Sequence, residues 1–434
     1  MPTSSQPVTL PDPVRTTLAN GLRVVLAPDR SAPVVGVAVH YDIGIRSEPE
    51  GRAGFAHLFE HLMFQGSANV AKTQHFTLIQ GAGGTLNGST HLDYTDYYEA
   101  LPSGALELAL YLEADRMRSL RLTEENLANQ VEVVSEEIRV NVENRPYGGF
   151  PWILLPPVLF TTFPNAHNGY GDFADLQAAT VADAEDFFAR YYAPGNAVLT
   201  VAGDLDPDTT IAAAERHFGE LPARDVPPRP SFAEPPPDGE RHGLRVDPLA
   251  PRPAVAVGYR VPDPLGPLAD YLPYVLLGEV LADGDASRLE QRLVQRDRLA
   301  TDVSAGVGIM GGAFDVRDPT GFVVEARHPA DVGVDDLLVA LDAELDRVAT
   351  DGVEAAELAR VTARFAAREL RATDSVIGRA RSLTIFEQQR GRPELLGELA
   401  GLAREVPGDA VAAAAAALRA GGRGILELRA GGAG

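Results

Sequence analysis

Cysteine is absent from the 434-residue chain, and so are long apolar runs and a basic leader segment. Without cysteine there are no disulfides and no thiolate ligands, so any zinc site must be built from His, Asp and Glu. No apolar run reaches the roughly 18 residues that a membrane-spanning helix needs. The N-terminal stretch lacks a basic segment followed by an apolar core, so we expect no signal peptide and a cytoplasmic protein.

Positive charge is also scarce. The 38 Lys and Arg residues stand against 61 Asp and Glu, which gives a net charge of −23. Nucleic acid and anionic membranes attract basic surfaces, so neither is expected as a partner. Hydrophobic residues make up 45% of the chain, which is enough for packed cores. Because a single core stops growing at roughly 250–300 residues, the length predicts two or more domains.

A proline-rich segment divides the chain nearly in half. Seven prolines fall between Pro222 and Pro237. Proline has no amide donor and resists both helix and central strand, so this segment is predicted to be a stiff linker. We therefore expect a first domain over 1–225, a linker over 226–241 and a second domain over 242–434.

The two halves share one pattern of apolar residues. Alternating strand patterns occur at 33–41 and 251–259, at an offset of 218 residues. At the same offset, an apolar helix pattern over 57–63 meets another over 275–281. These repeats predict two homologous copies of one α+β domain, each with an antiparallel-rich sheet covered by helices.

The first copy carries a His-x-x-Glu-His cluster, His57, Glu60 and His61, that the second copy lacks. On a helix, residues four apart lie on one face with their Cβ atoms about 5–6 Å apart, so both imidazoles can reach one zinc ion. Glu60 can then take a proton from a water molecule that the metal acidifies. This residue order is a recognised hydrolase signature. The alternative is an ordinary amphipathic helix that contains two histidines.

A catalytic zinc site needs a third protein ligand. Residues 127–149 show the apolar spacing of a helix. Four acids on this segment are candidates: Glu132, Glu136, Glu137 and Glu143. Helical periodicity alone does not choose among them.

Several motifs together resemble the M16 metallopeptidases, also called pitrilysin-like peptidases or inverzincins. "FAHLFEHLMFQGS" is similar to the zinc helix of that family, "GGTLNGST" to its Gly-Gly-x-x-Asn strand, and "NQVEVVSEEIRVNVENRPYG" to its third-ligand helix. The resemblance is to the subfamily of short, two-domain subunits that includes mitochondrial processing peptidase. It implies the LuxS/MPP-like metallopeptidase fold, one Zn²⁺ per chain and endopeptidase activity on peptides or unfolded segments.

The resemblance also implies roles for particular residues. In the family, the ligand Glu follows the second His by about 76 residues and precedes a "PYG"-like turn by nine, and Glu137 fits both counts. The implied metal ligands are therefore His57, His61 and Glu137, with Glu60 as the general base.

A second implied feature is a substrate-binding edge strand. Asn87 and Gly88 stand where the family aligns the scissile region of an extended peptide, which would add to the sheet as a further strand.

One departure from the family pattern concerns an Arg and a Tyr, seven residues apart, that usually complete the active site. The matching positions are Val294 and Thr301. The resemblance therefore implies the zinc-bearing subunit of a heterodimer, whose homologous M16 partner supplies the Arg/Tyr pair. Two alternatives stay open: a self-sufficient homodimer in which Arg292 or Arg296 replaces the pair, and a non-catalytic scaffold subunit, which has no need of an intact zinc motif.

Overall fold

Two β-sheets, one from each half of the chain, organise the fold in a computed structural model that describes residues 11–431. The first sheet has the order β1-β2-β6-β3-β5-β4, in which β2 and β6 are parallel and the other neighbours antiparallel. Its strands are β1 (Val14–Thr17), β2 (Arg23–Pro28), β3 (Val34–Tyr41), β4 (Thr85–Thr90), β5 (Thr95–Pro102) and β6 (Ala197–Gly203). The central strand β6 is buried along its whole length, which explains its nearly continuous apolar sequence.

The second sheet repeats this topology with the order β7-β11-β8-β10-β9. Its strands are β7 (Glu240–Asp247), β8 (Ala254–Arg260), β9 (Asp302–Val307), β10 (Gly321–Arg327) and β11 (Arg423–Ala430). Here too one pair, β7 with β11, is parallel and the others are antiparallel. Apart from the additional β1, the two sheets match strand for strand, so the prediction of two homologous α+β units is confirmed.

Helices cover both sheets. Those of the first half are α1 (Phe55–Leu62), α2 (Gln74–Gly81), α3 (Leu106–Arg118), α4 (Glu124–Ile138), α5 (Pro156–Leu159), α6 (Phe163–Ala166), α7 (Phe173–Gln177), α8 (Val181–Tyr191) and α9 (Pro207–Phe218). Those of the second half are α10 (Leu268–Ala282), α11 (Val334–Asp351), α12 (Ala355–Ala372), α13 (Val376–Arg390), α14 (Leu395–Glu405) and α15 (Gly408–Ala420). Single 3₁₀ turns occur at Ile45–Ser47, Ser103–Ala105 and Pro194–Asn196, and π-helical segments at Arg139–Glu143 and Glu290–Arg296. No helix within 11–431 is both long and apolar enough to cross a lipid bilayer.

The helix predicted over 127–149 is present but has different ends. It begins at Glu124, where the Thr123 side chain accepts a hydrogen bond from the Asn126 amide and caps the first turn. Its last turn widens into the π-helical segment and stops at Glu143. The helix does not continue to residue 149 because Pro146 disfavours helical geometry in the residue before it.

One helix from each half of the chain packs on the sheet of the other half. Helix α13 packs on the first sheet, across β3 and β6. At Gly36 in β3 the approach is so close that a Cβ would lie 2.4 Å from the main-chain oxygen of Val376. Ala380 is fully buried there against Ala38 and Ala202. Only small residues permit this contact between helix and sheet.

The reciprocal contact is made by α5, which packs on β11 and β7 of the second sheet. A Cβ at Gly424 would lie 3.2 Å from the main chain of Leu159. The proline-rich segment between α9 and β7 has no regular structure, yet it is anchored: Phe232 is buried and Arg229 donates to Asp42 at 2.9 Å. Because each half covers the other's sheet, the domain limits at 225 and 242 stay a prediction.

Candidate metal centre

Helix α1 starts at a tightly packed glycine. Gly54 has a φ of 87°, and a Cβ there would lie 2.3 Å from Cα of Gly171, so no other residue fits this position without moving the loop. The first turn of a helix leaves main-chain amides without partners. The buried carboxylate of Glu48 accepts hydrogen bonds from two of them, Gly54 N at 2.9 Å and Ala56 N at 2.7 Å. His167 lies 2.9 Å from the same carboxylate and fixes it.

The apolar face of α1 determines which way its two histidines point. Phe55 packs edge-on to Phe187 at 5.1 Å, and Phe59 lies 4.6 Å from Tyr192. These contacts anchor one side of the helix in the core of the first half. His57 and His61 lie together on another side, with ring centroids 5.0 Å apart.

Helix α4 brings a carboxylate to the two imidazoles. Glu137 Oε2 is 3.3 Å from His61 Nε2, and Glu137 Oε1 is 3.8 Å from His57 Nε2. One ligand atom from each residue lies within 4.8 Å of the others, which is the convergence that a bound cation requires. The neighbouring Glu136 points to solvent and pairs with Arg139 at 3.1 Å.

Metal binding needs neutral imidazole and ionised carboxylate, and the pKa values of His57 and Glu137 favour these forms. Burial lowers the pKa of His61, but the hydrogen bond with Glu137 outweighs it and raises that pKa, so a metal ion would have to displace the proton of His61. Burial, helped by the charge of His61, lowers the pKa of His57 to about 4. The hydrogen bond with His61 is the main reason why the pKa of Glu137 falls to about 2, although burial opposes it. His57 Nδ1 lies 3.2 Å from the carbonyl oxygen of Tyr170 and donates to it, which leaves Nε2 as the nitrogen that faces Glu137.

Glu60 lies beside the edge strand rather than among the ligand atoms. Its Oε2 accepts a hydrogen bond from the Thr90 hydroxyl at 2.6 Å. A Cβ at Gly88 would lie 3.3 Å from Glu60 Cγ, so the main chain of β4 passes directly over this carboxyl. Burial raises the pKa of Glu60. A raised pKa brings a carboxylate closer to neutral pH, where a general base is most effective.

Asn87 and Gly88 both lie on β4, at the edge of the first sheet, but they face opposite sides. Side chains alternate along a strand, so Gly88 and Thr90 share the face towards Glu60 while Asn87 belongs to the other face. On that other face Arg381 of α13 donates to Ser89 at 2.9 Å. The side chain of Asn87 therefore lies across the strand from Glu60.

The sequence patterns did not single out Thr90, Glu48 or Tyr170, although each contacts this group of residues. Thr90 stands two positions after Gly88, so strand periodicity could have placed it on the same face. Tyr170 donates its hydroxyl proton to Glu137 Oε1 at 2.6 Å. Burial raises the pKa of Tyr170 to about 12, so the phenol keeps that proton at neutral pH. Tyr170 and Glu48 lie in irregular segments far from the motif, and no local spacing indicates them.

The second half has no such centre at the corresponding place on α10. Glu279, the counterpart of His61, is paired with Arg368 of α12 at 2.5 Å. At Gly278, the counterpart of Glu60, a Cβ would lie 2.9 Å from Cα of Gly306 in the edge strand β9. In the second half, Arg368 and the close contact between α10 and β9 take the place of the candidate metal ligands of the first half.

The positions matched to the family's Arg/Tyr pair hold no comparable groups. Val294 is partly buried against the core of the second half, and the Thr301 hydroxyl lies 3.2 Å from the carbonyl oxygen of Arg327. The two candidate replacements are both engaged with acids. Arg296 pairs with Asp297 at 2.7 Å, and Arg292 lies 3.5 Å from the same carboxylate.

A second buried group also combines histidine with acids: His75, Glu99 and Glu113. His75 Nε2 and Glu99 Oε1 share a hydrogen bond of 2.5 Å, and Arg116 Nε donates to Glu113 Oε2 at 2.8 Å. The guanidinium is a fixed cation at this position and would repel a metal ion. We therefore interpret this group as a buried ionic cluster of the core.

This cluster predicts a pH-dependent effect on stability. Burial raises the pKa of Glu99 from 4.5 to about 7, so the folded protein keeps a proton that the unfolded chain loses. Its contribution to stability is complete below about pH 4.5 and is lost as pH rises through 7. Glu99→Gln cannot lose this proton, so its melting temperature should exceed that of the wild type more at pH 8 than at pH 5. The exposed Glu107→Gln is the matched control; an equal difference at both pH values would contradict the assignment.

Comparisons with known proteins agree with this arrangement. Residues 23–147 match the family model for insulinase (peptidase family M16), and residues 178–365 match the model for the peptidase M16 inactive domain. Together they cover well over half of the chain, which belongs to the M16 peptidase family.

Individual relatives are consistent with that membership. The zinc protease PqqE of Helicobacter pylori is 32% identical over 295 residues, which are 67% of this chain and 66% of PqqE. The mitochondrial-processing peptidase subunit beta of Caenorhabditis elegans is 25% identical over 214 residues, which are 49% of this chain and 46% of that subunit. The aligned regions thus span about two thirds and about half of these relatives.

Solved structures match the whole fold. The crystal structure of a protease from Helicobacter pylori covers 97% of this chain and 100% of its own, with a TM-score of 0.87 and 25% sequence identity. A structure described as the peptidase M16 inactive domain from Pseudomonas fluorescens covers 96% of this chain and 98% of its own, with a TM-score of 0.84 and 19% identity. The two-sheet architecture is therefore the fold of M16-like peptidases.

Proposed function

We propose that this protein is a zinc-dependent endopeptidase that hydrolyses peptides or unfolded segments. The observation that carries the proposal is the convergence of His57, His61 and Glu137, with Glu60 held between this group and an open sheet edge. The naming of PqqE as a zinc protease supports the choice of metal.

The donor set suits zinc, which binds imidazole nitrogen and carboxylate oxygen and in catalytic sites keeps a position free of protein ligands. His57 and His61 would hold the ion through Nε2, and Glu137 through its carboxylate. When bound, zinc supplies Lewis-acid chemistry that polarises a carbonyl and acidifies water.

The residues around this centre suggest how a peptide is bound and cut. An extended segment would pair with the outer edge of β4, so that its main chain passes Gly88 and lies above Glu60. With Oε2 of Glu60 held by Thr90, Oε1 would accept the proton of the attacking water and return it to the leaving amine. Only an extended chain can add a strand, so folded proteins should be spared.

We further propose that the protein is the catalytic subunit of a two-subunit M16 peptidase. Val294 and Thr301 cannot supply the guanidinium and phenol that the family uses, and Arg292 and Arg296 are engaged in ion pairs. A homologous partner that carries the Arg/Tyr pair would complete the site. The homodimer stays the alternative, and the cytoplasmic location stays a prediction.

The first test of the proposal is metal content. The purified chain should contain about one zinc per polypeptide by elemental analysis, as one three-ligand site allows. His61→Ala should lose the metal, and Glu137→Gln should retain it poorly. Glu136→Gln is the matched control, because that side chain points to solvent, and it should bind zinc as the wild type does. Full zinc occupancy in His61→Ala would show that the ligand assignment is wrong, and the reverse result for the two glutamates would make Glu136 the third ligand.

A further inference from the structure

Tyr170 contacts two of the candidate metal ligands at once. Its hydroxyl donates to Glu137 Oε1 at 2.6 Å. Its main-chain oxygen accepts a hydrogen bond from His57 Nδ1 at 3.2 Å, and its ring stacks on the imidazole of His57 with centroids 4.7 Å apart. One residue therefore limits the orientation of both a carboxylate and an imidazole.

The phenol is itself held from two sides. Asn141 Nδ2 donates to the Tyr170 hydroxyl oxygen at 3.1 Å, so the single phenolic proton is directed to Glu137. Asn141 lies in the π-helical segment Arg139–Glu143, just beyond the helix that bears Glu137. Trp152 packs edge-on against the Tyr170 ring at 5.1 Å. These contacts restrict the ring to one position.

The main chain around Tyr170 is also fixed relative to the zinc helix. The Tyr170 amide donates to Asn168 Oδ1 at 3.0 Å, which closes a tight turn before Gly171. Gly171 then lies directly against Gly54 at the start of α1. The loop that contains Tyr170, helix α1 and helix α4 therefore meet at this residue.

We propose that Tyr170 is a positioning residue that preorganises Glu137 and His57 for the metal. This inference rests on the proposed zinc function. Glu137 is only partly buried, and a glutamate side chain can adopt several rotamers, so a hydrogen bond from a rigid phenol favours the one that faces the histidines. When a residue that hydrogen-bonds to a metal ligand is removed, the affinity for the metal typically falls about 10–100-fold.

The same geometry excludes a second role for this phenol. It has one proton, which Glu137 receives, and its oxygen already accepts from Asn141. It is therefore not available to stabilise negative charge on a substrate. Tyr170 does not replace the missing tyrosine at position 301.

The test is zinc affinity, measured by chelator competition on the purified full-length chain. Tyr170→Phe keeps the ring and the carbonyl but removes the hydroxyl, and it should bind zinc about 10–100-fold more weakly. Tyr147→Phe is the matched control, because that hydroxyl donates to the main-chain oxygen of Arg252 and should not affect zinc affinity. Asn141→Ala should weaken binding in the same direction but less.

A second readout separates positioning from general destabilisation. With Co²⁺ in place of zinc, the visible spectrum at saturating metal should differ between the wild type and Tyr170→Phe, and the melting temperature of the metal-free proteins should not. Wild-type zinc affinity and an unchanged Co²⁺ spectrum in Tyr170→Phe would overturn this inference alone. A wild-type chain that binds no zinc would instead refute the proposed function.

Discussion

Glu60→Gln should reduce peptide hydrolysis by at least about 10², and it should leave zinc content unchanged, because general-base catalysis typically contributes 10²–10⁴-fold. Glutamine keeps the size of the side chain and can still accept the hydrogen bond from Thr90. It cannot take a proton from water. The measurement is the initial rate of hydrolysis of an unstructured peptide by the active assembly, together with zinc per chain.

The matched control for this substitution is Glu132→Gln, an exposed glutamate on α4. Its rate and zinc content should equal those of the wild type. If the Glu60→Gln protein were fully loaded with zinc and hydrolysed the peptide at a wild-type rate, Glu60 would not be the base. If it lost its zinc, Glu60 would be a ligand instead.

Adding a homologous M16 subunit that carries the Arg/Tyr pair should raise peptidase activity by orders of magnitude. Removing one donor to a developing oxyanion typically costs about 10²–10³ in rate, and this chain has Val294 and Thr301 where the family has both donors. The single chain should therefore bind zinc but cleave peptides poorly. Mixed with the partner, it should form a 1:1 complex, visible by light scattering, and gain activity.

The control for this experiment is the same partner with its Arg replaced by Ala and its Tyr by Phe. That variant should still form the complex but should not restore activity. Turnover by the rigorously purified single chain at the level of the reconstituted pair would refute the two-subunit proposal. It would favour the homodimer, in which Arg292 or Arg296 would have to leave its present ion pair.

Local periodicity predicted the repeated parts of the fold well. The strand patterns at 33–41 and 251–259 correspond to β3 and β8. The helix pattern at 57–63 overlaps α1, and the one at 275–281 lies within α10. In each of these elements the apolar residues are spaced as the buried face of a strand or a helix requires. Their spacing therefore indicates the type of element directly. The sequence did not predict that α5 packs on the second sheet and α13 on the first. An apolar helix face shows that the helix is packed against something, but not which sheet it packs against.

The same distinction applies to the candidate metal centre. His57, Glu60 and His61 lie on one helix, so their spacing alone indicates a common face. Tyr170 and Glu48 contact this helix through tertiary hydrogen bonds, at sequence distances that no motif fixes. Residues of this kind orient the side chains of a site, and only the three-dimensional structure identifies them.

The position of α13 has a consequence for the synthesis of the protein. The strands of the first sheet are complete in sequence at Gly203, but the helix that packs across β3 and β6 begins only at Val376 and ends at Arg390. While the chain is being translated, that face of the sheet, which includes Ala38 and Ala202, lacks the helix that covers it in the folded protein. Although N-terminal domains generally fold first during synthesis, the first half of the chain cannot complete its packing until α13 has left the ribosome. A chain that terminates before α13 would thus present this face of the first sheet to chaperones and proteases.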